Sequence, residues 1–127
     1  MATAGLLSPH ADPVLGAVAC GLDMMAAAPA FGDGWRVRVG IDHGPVSAGI
    51  MGAAQFQYDV WGDTVNTAAR IEGNGRPSTV NVSGRAWVHL QHRAQGRSLG
   101  MVDLRGKEKI EVIECLGLRG SARAETL

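Results

Sequence analysis

A strict alternation of apolar and polar residues between positions 35 and 42 constrains the fold of this chain more than any other feature. The apolar members are Trp35, Val37, Val39 and Ile41, and charged residues or glycine stand between them. Because successive side chains of a strand point to opposite faces, this pattern predicts a strand that buries one face only. Such a strand belongs in a sheet with a helix on its apolar side, which favours an α+β fold.

The helix expected on that side precedes the strand. Asp12 and Pro13 offer a helix cap and a first-turn proline, and Pro29 ends the segment. Between them, apolar residues recur at helical spacing at Leu15, Val18, Leu22 and Met25. They predict an amphipathic helix packed on a sheet.

The same segment bears on membrane insertion. Val14–Ala30 is interrupted by Asp23 and is shorter than the roughly 20 residues that cross a bilayer. The start of the chain also lacks the basic residues that open a signal peptide. We therefore expect no direct membrane insertion, and a cytoplasmic chain or the cytoplasmic portion of a larger protein.

Beyond the first strand, the pattern predicts a second strand followed by a helix. Phe56–Val60 is expected to pair with the first strand across a glycine-rich connection. Asp63 is expected to cap the helix, and the glycines of Gly73-Asn74-Gly75 are expected to end it.

The last third of the chain predicts a strand, a helix and a hairpin. Thr79–Val82 is the strand, and Ser83 is expected to cap a helix that runs to about His92. Gly100–Leu104 and Ile110–Leu116 are the expected hairpin strands. We therefore expect a domain over residues 1–118 and a polar, flexible tail over residues 119–127.

Charge and cysteine content exclude several classes of function. The 127 residues include 12 basic and 12 acidic side chains, so the formal net charge is zero. Without a broad positive electrostatic field, the sequence does not favour a nucleic acid as a partner. Cys20 and Cys115 form neither a CxxC pair nor a disulfide framework. We interpret both as buried apolar groups in a reducing compartment.

Asn66 and Arg70 form the most informative polar pair. A spacing of four places them on one face of the helix that begins near Asp63. An amide beside a permanently charged guanidinium can hold a ribose or ring oxygen next to a polyphosphate. The sequence therefore predicts a phosphate-binding helix face.

Other polar residues have simpler interpretations than catalysis. Asp63 fits a helix cap better than a metal ligand. His89 and His92 are three residues apart and could share a helix face as metal ligands, but His10 and His43 give no supporting spacing, so a solvated face is the better interpretation. Asp42 and His43 follow the best strand without a nucleophile beside them, so we expect a strand-end turn. No metal site is predicted from these residues.

The segment around this pair resembles a known family. Tyr58–Arg70 contains the run Tyr-Asp-Val-Trp-Gly-Asp, then Val-Asn, then an arginine four residues after the asparagine. Together with Val37–Ile41, Gly44-Pro45-Val46 and Leu104–Lys107, it resembles the class III nucleotidyl (adenylyl and guanylyl) cyclase catalytic domains. The resemblance implies a ferredoxin-like cyclase fold, here without its N-terminal strands, so that the Trp35–Ile41 strand would lack neighbours.

The resemblance also implies roles for individual residues. Asn66 and Arg70 would be catalytic, with the amide orienting the ribose and the guanidinium meeting the α-phosphate. Asp59 would accept from the exocyclic amine of adenine, which favours ATP over GTP. Arg105 would contact the terminal phosphates, with Lys107 as the alternative. The implied reaction converts ATP to 3′,5′-cyclic AMP and pyrophosphate in intracellular signalling.

The family reaction uses two Mg²⁺ or Mn²⁺ ions, held by aspartates in a Phe-x-Asp-Ile-x-Gly-Phe-Thr motif and a later Gly-Asp turn. In the family both motifs precede the helix that corresponds to the first predicted helix here, and neither occurs ahead of Pro13 in this sequence. The chain thus resembles the C-terminal portion of a family domain, and we expect it to be a fragment of a longer polypeptide or to complete its sheet with another chain. By itself it should be inactive or nearly so.

Family cyclases form head-to-tail dimers, in which one partner supplies the metals and the other supplies the asparagine and arginine. The resemblance therefore implies a homodimer, or pairing with another cyclase domain. One alternative is a non-catalytic nucleotide-binding or dimerisation module that regulates a partner cyclase. A metabolite-binding ferredoxin-like domain is a further alternative.

Overall fold

A computed structural model of the chain describes residues 1–51, 57–104 and 108–119. The helices are α1 (Pro13–Ala27), α2 (Asp63–Asn74) and α3 (Gly84–Trp87), with 3₁₀ turns at Ala28–Phe31 and Gln91–Arg93. The strands are β1 (Arg38–Ile41), β2 (Ser47–Met51), β3 (Gln57–Trp61), β4 (Thr79–Ser83), β5 (Ala94–Val102) and β6 (Ile110–Leu118).

Four of the strands form a mixed sheet in the order β1-β4-β6-β5. β1 and β4 are parallel, with Arg38 opposite Thr79, whereas β6 is antiparallel to both β4 and β5. β2 and β3 form a separate antiparallel hairpin. The predicted hairpin near the C-terminus is therefore present as β5 and β6, with longer strands than expected.

The predicted pairing of the first two strands is wrong. β1 pairs with β4, and β3 pairs with β2, a strand that the sequence analysis did not predict. A parallel pair needs a long crossover, and α2 lies within the crossover that joins β1 to β4. β1 therefore does have a neighbour, although within the described residues its other edge pairs with no strand.

Helices cover the two faces of β1. Gly21 of α1 lies against the side chains of Val39 and Val80, whereas Gly40, on the opposite face of β1, lies against the backbone of α2. The main core lies between α1 and the sheet and includes Val14, Leu15, Val18, Leu22, Ile41, Val80, Val82 and Cys115. A smaller core of Ile71, Leu104 and Val112 joins α2 to β6.

The first helix and the 3₁₀ turn after it form one long apolar segment. Pro13–Phe31, with 19 residues, is long and apolar enough to cross a membrane by length and composition. Its apolar side chains are partly buried in the main core, and core helices of globular proteins meet the same criterion. The absence of membrane insertion stays a prediction.

Several local predictions need correction. Asp63 is the first residue of α2, whereas Gly62 occupies the cap position. Ser83 does cap α3, since its hydroxyl accepts from the amide of Ala86 at 3.2 Å, but α3 ends at Trp87 rather than near His92. Cys115 is buried as predicted, whereas Cys20 lies on the exposed side of α1.

Candidate functional site

A close approach between α2 and β1 sets the position of the candidate site. A Cβ atom on Gly40 would lie 2.3 Å from the amide nitrogen of Glu72 and 2.4 Å from the carbonyl oxygen of Ala68. Because both atoms belong to the helix backbone, only glycine lets α2 lie this close to the strand. Asn66 and Arg70 are therefore carried on a helix that rests directly on the sheet.

Asn66 and Arg70 occupy different environments on α2. Asn66 is exposed near the start of α2, where its backbone amide donates to the carbonyl of Gly62 at 3.1 Å. Arg70 is half-buried, and its Nη1 donates to the carbonyl oxygen of Leu104 at 3.4 Å. Leu104 is fully buried. The structure thus brings Arg70 to the end of the segment that precedes Arg105 and Lys107.

Arg105 and Lys107 themselves lie outside the described residues. Their contact with terminal phosphates stays a prediction. The bond from Arg70 to Leu104 places Leu104, the described residue that precedes Arg105, beside α2.

Asp59 lies on β3, opposite Gly49 on β2. β3 ends at Trp61 and α2 begins at Asp63, so Gly62 alone turns the chain from strand to helix. Gly62 has a φ of 129°, a conformation that favours glycine. This tight turn fixes the register between Asp59 and Asn66, although the role of Asp59 in choosing a base stays a prediction.

The electrostatics at the start of α2 suit the helix dipole. Asp63 is exposed in the first turn, where a negative charge interacts favourably with the positive end of the helix.

Among residues 1–51, 57–104 and 108–119, no group of three or more His, Cys, Asp or Glu side chains could hold a metal ion.

A cavity of about 280 Å³ opens beside this helix start. Its walls come from the turn after β1, from the first residues of α2 and from α3, and its lining residues are Pro45, Val46, Ser47, Gly62, Asp63, Thr64 and Arg85. Arg85 belongs to no sequence motif, and Thr64, although it lies within the Tyr58–Arg70 motif, was not predicted as a site residue because its partners are distant in the chain.

Arg85, which lines this cavity, is ion-paired with the carboxylate of Asp42. The Asp42 side chain is 0% exposed and accepts from Arg85 Nε at 2.8 Å, from Arg85 Nη2 at 2.5 Å and from Ser83 Oγ at 2.7 Å. Burial alone would raise the pKa of Asp42, but the hydrogen bonds from Arg85, Ser83 and the His43 amide lower it below its ordinary value. The hydrogen bond between Arg85 and Asp42 also raises the pKa of Arg85.

The histidines show a contact that the sequence did not predict. The rings of His43 and His89 lie with their centroids 4.4 Å apart and their planes tilted by 56°. As predicted, Asp42 and His43 directly follow the end of β1. Both residues are half-buried, and Asp42 is ion-paired with Arg85.

Comparison with known proteins identifies the family. The family model described as adenylate and guanylate cyclase catalytic domain matches residues 1–115. The receptor-type guanylate cyclase gcy-5 of Caenorhabditis elegans is 40% identical over 86 residues, which are 65% of this chain and 8% of that protein. The chain therefore spans a small part of this curated relative.

Solved structures of similar fold are also cyclases. The guanylate cyclase domain of RhGC from Catenaria anguillulae, solved with GTP, has a TM-score of 0.86 at 25% identity, covering 91% of this chain and 66% of that one. The catalytic core of a rhodopsin-guanylyl cyclase with converted specificity, solved with ATPαS, has a TM-score of 0.82 at 26% identity, covering 90% and 64%. The predicted cyclase fold is confirmed, and this chain belongs to the adenylate and guanylate cyclase catalytic domain family.

Proposed function

We propose that this chain is the part of an adenylyl cyclase that supplies the asparagine and arginine of the active site, for the conversion of ATP to 3′,5′-cyclic AMP and pyrophosphate. The observation that supports this is the continuous unit from β3 through Gly62 to α2, which places Asp59, Asn66 and Arg70 in fixed register. The bond from Arg70 to Leu104 ties that unit to the β5–β6 connection.

In this proposal Arg70 and Asn66 act by positioning and charge. Phosphoryl transfer builds negative charge on the oxygens around phosphorus, and a preorganised guanidinium stabilises that charge. Arg70 is half-buried, which strengthens its interaction with an anion relative to that of a fully solvated cation. The amide of Asn66 would orient the ribose so that its 3′-oxygen faces the α-phosphate.

The two divalent ions of the family reaction, Mg²⁺ or Mn²⁺, have no set of ligands among the described residues. We therefore assign no step to metal ions held by this chain. In the proposed assembly the ligands come from another segment or subunit, either in a homodimer or in a pair with a different cyclase domain. We infer a cytoplasmic location for that assembly.

The choice of ATP rests on Asp59. A carboxylate can accept a hydrogen bond from the exocyclic amine of adenine, whereas guanine presents a carbonyl oxygen at the corresponding position. The relative from Caenorhabditis elegans is named a guanylate cyclase, so the base is the point that needs a direct test. We expect the active assembly to form cyclic AMP from ATP faster than cyclic GMP from GTP.

The substitution Asp59→Cys tests this choice. It removes the acceptor, so the ratio of cyclic AMP to cyclic GMP formed should fall by about tenfold or more, as expected for the loss of one buried hydrogen bond to a charged group. Asp33→Asn, at an exposed position outside the helices and strands, is the matched control and should leave the ratio unchanged. Preference for GTP in the unaltered assembly would contradict the assignment.

Catalysis itself is tested by complementation. The chain is mixed with a cyclase domain that keeps its metal-binding aspartates but has its own asparagine and arginine replaced, and cyclic AMP is measured with ATP and Mn²⁺. We expect turnover on mixing, and a loss on the order of 100-fold or more with Arg70→Ala, because one preorganised donor is removed. An Arg70→Ala rate equal to that of the unaltered chain would overturn the proposal.

A non-catalytic regulatory module is the second candidate. It is favoured by the absence of a metal-ligand cluster in residues 1–51, 57–104 and 108–119. ATP binding without turnover in any pairing, measured by calorimetry beside the complementation assay, would support this candidate instead.

A further inference from the structure

A glycine occupies the cap position at the start of α2. Gly62 has no side chain, so it makes no side-chain cap hydrogen bond to the first turn. The first amides of a helix have no partner within the helix, and a turn without a cap is less stable. Because Asn66 lies in this region, something else must hold it in place if it orients a ribose.

Groups from two other segments, the turn after β1 and the start of α3, provide further support. Thr64, the second residue of α2, donates its hydroxyl to the carbonyl of Pro45 at 2.7 Å and accepts from Arg85 Nη2 at 3.4 Å. Thr64 is 7% exposed, so these contacts are shielded from water. Arg85 in turn donates both Nε and Nη2 to the buried Asp42. We call Asp42, Thr64, Ser83 and Arg85 the Asp42 network.

The spacing around Gly44 shows how closely these groups meet. A Cβ atom at this position would lie 2.7 Å from Thr64 Oγ1 and 3.0 Å from Arg85 Nη2. The turn after β1 therefore packs directly on both side chains. Ser83 links the network to α3, since its hydroxyl donates to Asp42 and accepts from Ala86. The end of β1, the start of α2 and the start of α3 are joined at one point.

From this geometry we propose that Arg85 is a positioning residue for Asn66, fixing the first turn of α2 against the end of β1 through Thr64 and Asp42. The inference rests on the proposed function, because Asn66 is the group that is positioned. Arg85 need not touch the nucleotide. Its bidentate bond fixes the guanidinium plane, which lysine, with a point charge, cannot reproduce.

The first test separates kcat from KM in the complementation assay. With Arg85→Ala and Arg85→Lys we expect kcat to fall on the order of 10- to 100-fold, because a small misplacement of a positioning group has an effect of this size. KM for ATP should change little, since the loss falls on an interaction that is stronger in the transition state.

The matched control is Arg97→Ala. Arg97 is exposed to a similar degree, 58% against 50% for Arg85, and it also pairs with a largely buried carboxylate, Glu114. It lies on β5, and Glu114 keeps its bond to Arg76 at 3.1 Å. A fall in kcat equal to that of the Arg85 variants, at temperatures where all variants are folded, would overturn the proposal.

Conservative changes at Thr64 provide a second test. Thr64→Ser keeps the hydroxyl and should retain most of the rate, whereas Thr64→Val keeps the shape and should match the kcat loss of Arg85→Ala. Equal rates for the two Thr64 variants would show that the hydroxyl contacts do not position Asn66.

Amide hydrogen exchange distinguishes failure of this inference from failure of the proposed function. In the unmixed chain, Arg85→Ala should accelerate exchange over residues 64–70 relative to Arg97→Ala, because opening of the first turn becomes easier. If Asn66→Ala abolishes turnover while the Arg85 variants match Arg97→Ala in rate and exchange, the positioning role is wrong and the function stands. If the unaltered chain mixed with the metal-holding partner has no turnover, the proposed function is overturned. The catalytic role of the Asp42 network is then overturned as well. The hydrogen-exchange data still decide whether the network stabilises the first turn of α2.

Discussion

At the scale of single residues, a buried carboxylate has the most demanding environment. Asp42 has no exposed side-chain surface and depends on the guanidinium of Arg85, the hydroxyl of Ser83 and the amide of His43. Such groups make stability depend on pH, because protonation removes the charge that these donors stabilise.

The direction of that dependence follows from the pKa of Asp42, which is lowered in the folded chain. The Asp42 contribution is complete above the unfolded value of about 3.9 and is lost as the pH falls through the folded value. Asp42→Asn should lower the free energy of unfolding by about 2 kcal/mol at pH 7, with a smaller difference from the unaltered chain below about pH 4. Urea unfolding over a pH series measures this, with Asp33→Asn, at an exposed position, as the control. A difference that grows at acid pH would contradict the assignment.

At the scale of elements, local patterns predicted which segments form helices and strands better than they predicted partners. Alternation identified β1, although the strand begins at Arg38 rather than at Trp35, which is exposed. Alternation does not specify the neighbouring strand, so the pairing with β4 was missed. β2 was missed because Ser47-Ala48-Gly49 lacks both alternation and strand propensity. The spacing of Asn66 and Arg70 did place them on α2. The Asp42 network could not be predicted from local sequence patterns, because Arg85 is 43 residues from Asp42 and 21 residues from Thr64.

The contact of α2 with β1 gives a prediction at this scale. Gly40→Ala would place a Cβ atom within 2.4 Å of two backbone atoms of α2, so the helix must move away from the strand. We expect a loss of about 1–3 kcal/mol in the free energy of unfolding and a lower rate in the complementation assay. Gly73→Ala is the matched control, because it lies in the same helix with no neighbouring atom within 4 Å among the described residues. That control should be neutral or slightly stabilising, and equal effects of the two changes would contradict the close-packing argument.

At the scale of the whole molecule, the described residues hold one part of the site that the proposed reaction needs. They place Asn66 and Arg70 on α2, yet they contain no group of three or more His, Cys, Asp or Glu side chains that could hold a metal ion. In the four-stranded sheet β1 is an edge strand, so it can accept a further strand. This division of the site between two segments was a prediction from the sequence, because the absence of a motif can be recognised without knowing which strands pair.

This division predicts the behaviour of the purified chain. A triphosphate has several negative charges, and its reaction depends on divalent ions that neutralise charge as the phosphoryl group transfers. With Asn66 and Arg70 but no metal ligands in the described residues, the chain alone should form no detectable cyclic AMP from ATP and Mn²⁺. Mass spectrometry of the product after prolonged incubation measures this, and the same preparation mixed with a metal-holding partner is the positive control. Metal-dependent turnover by the pure chain that disappears with Arg70→Ala would show that the chain holds its own ions, and the proposed sharing of the site between two segments would then be wrong.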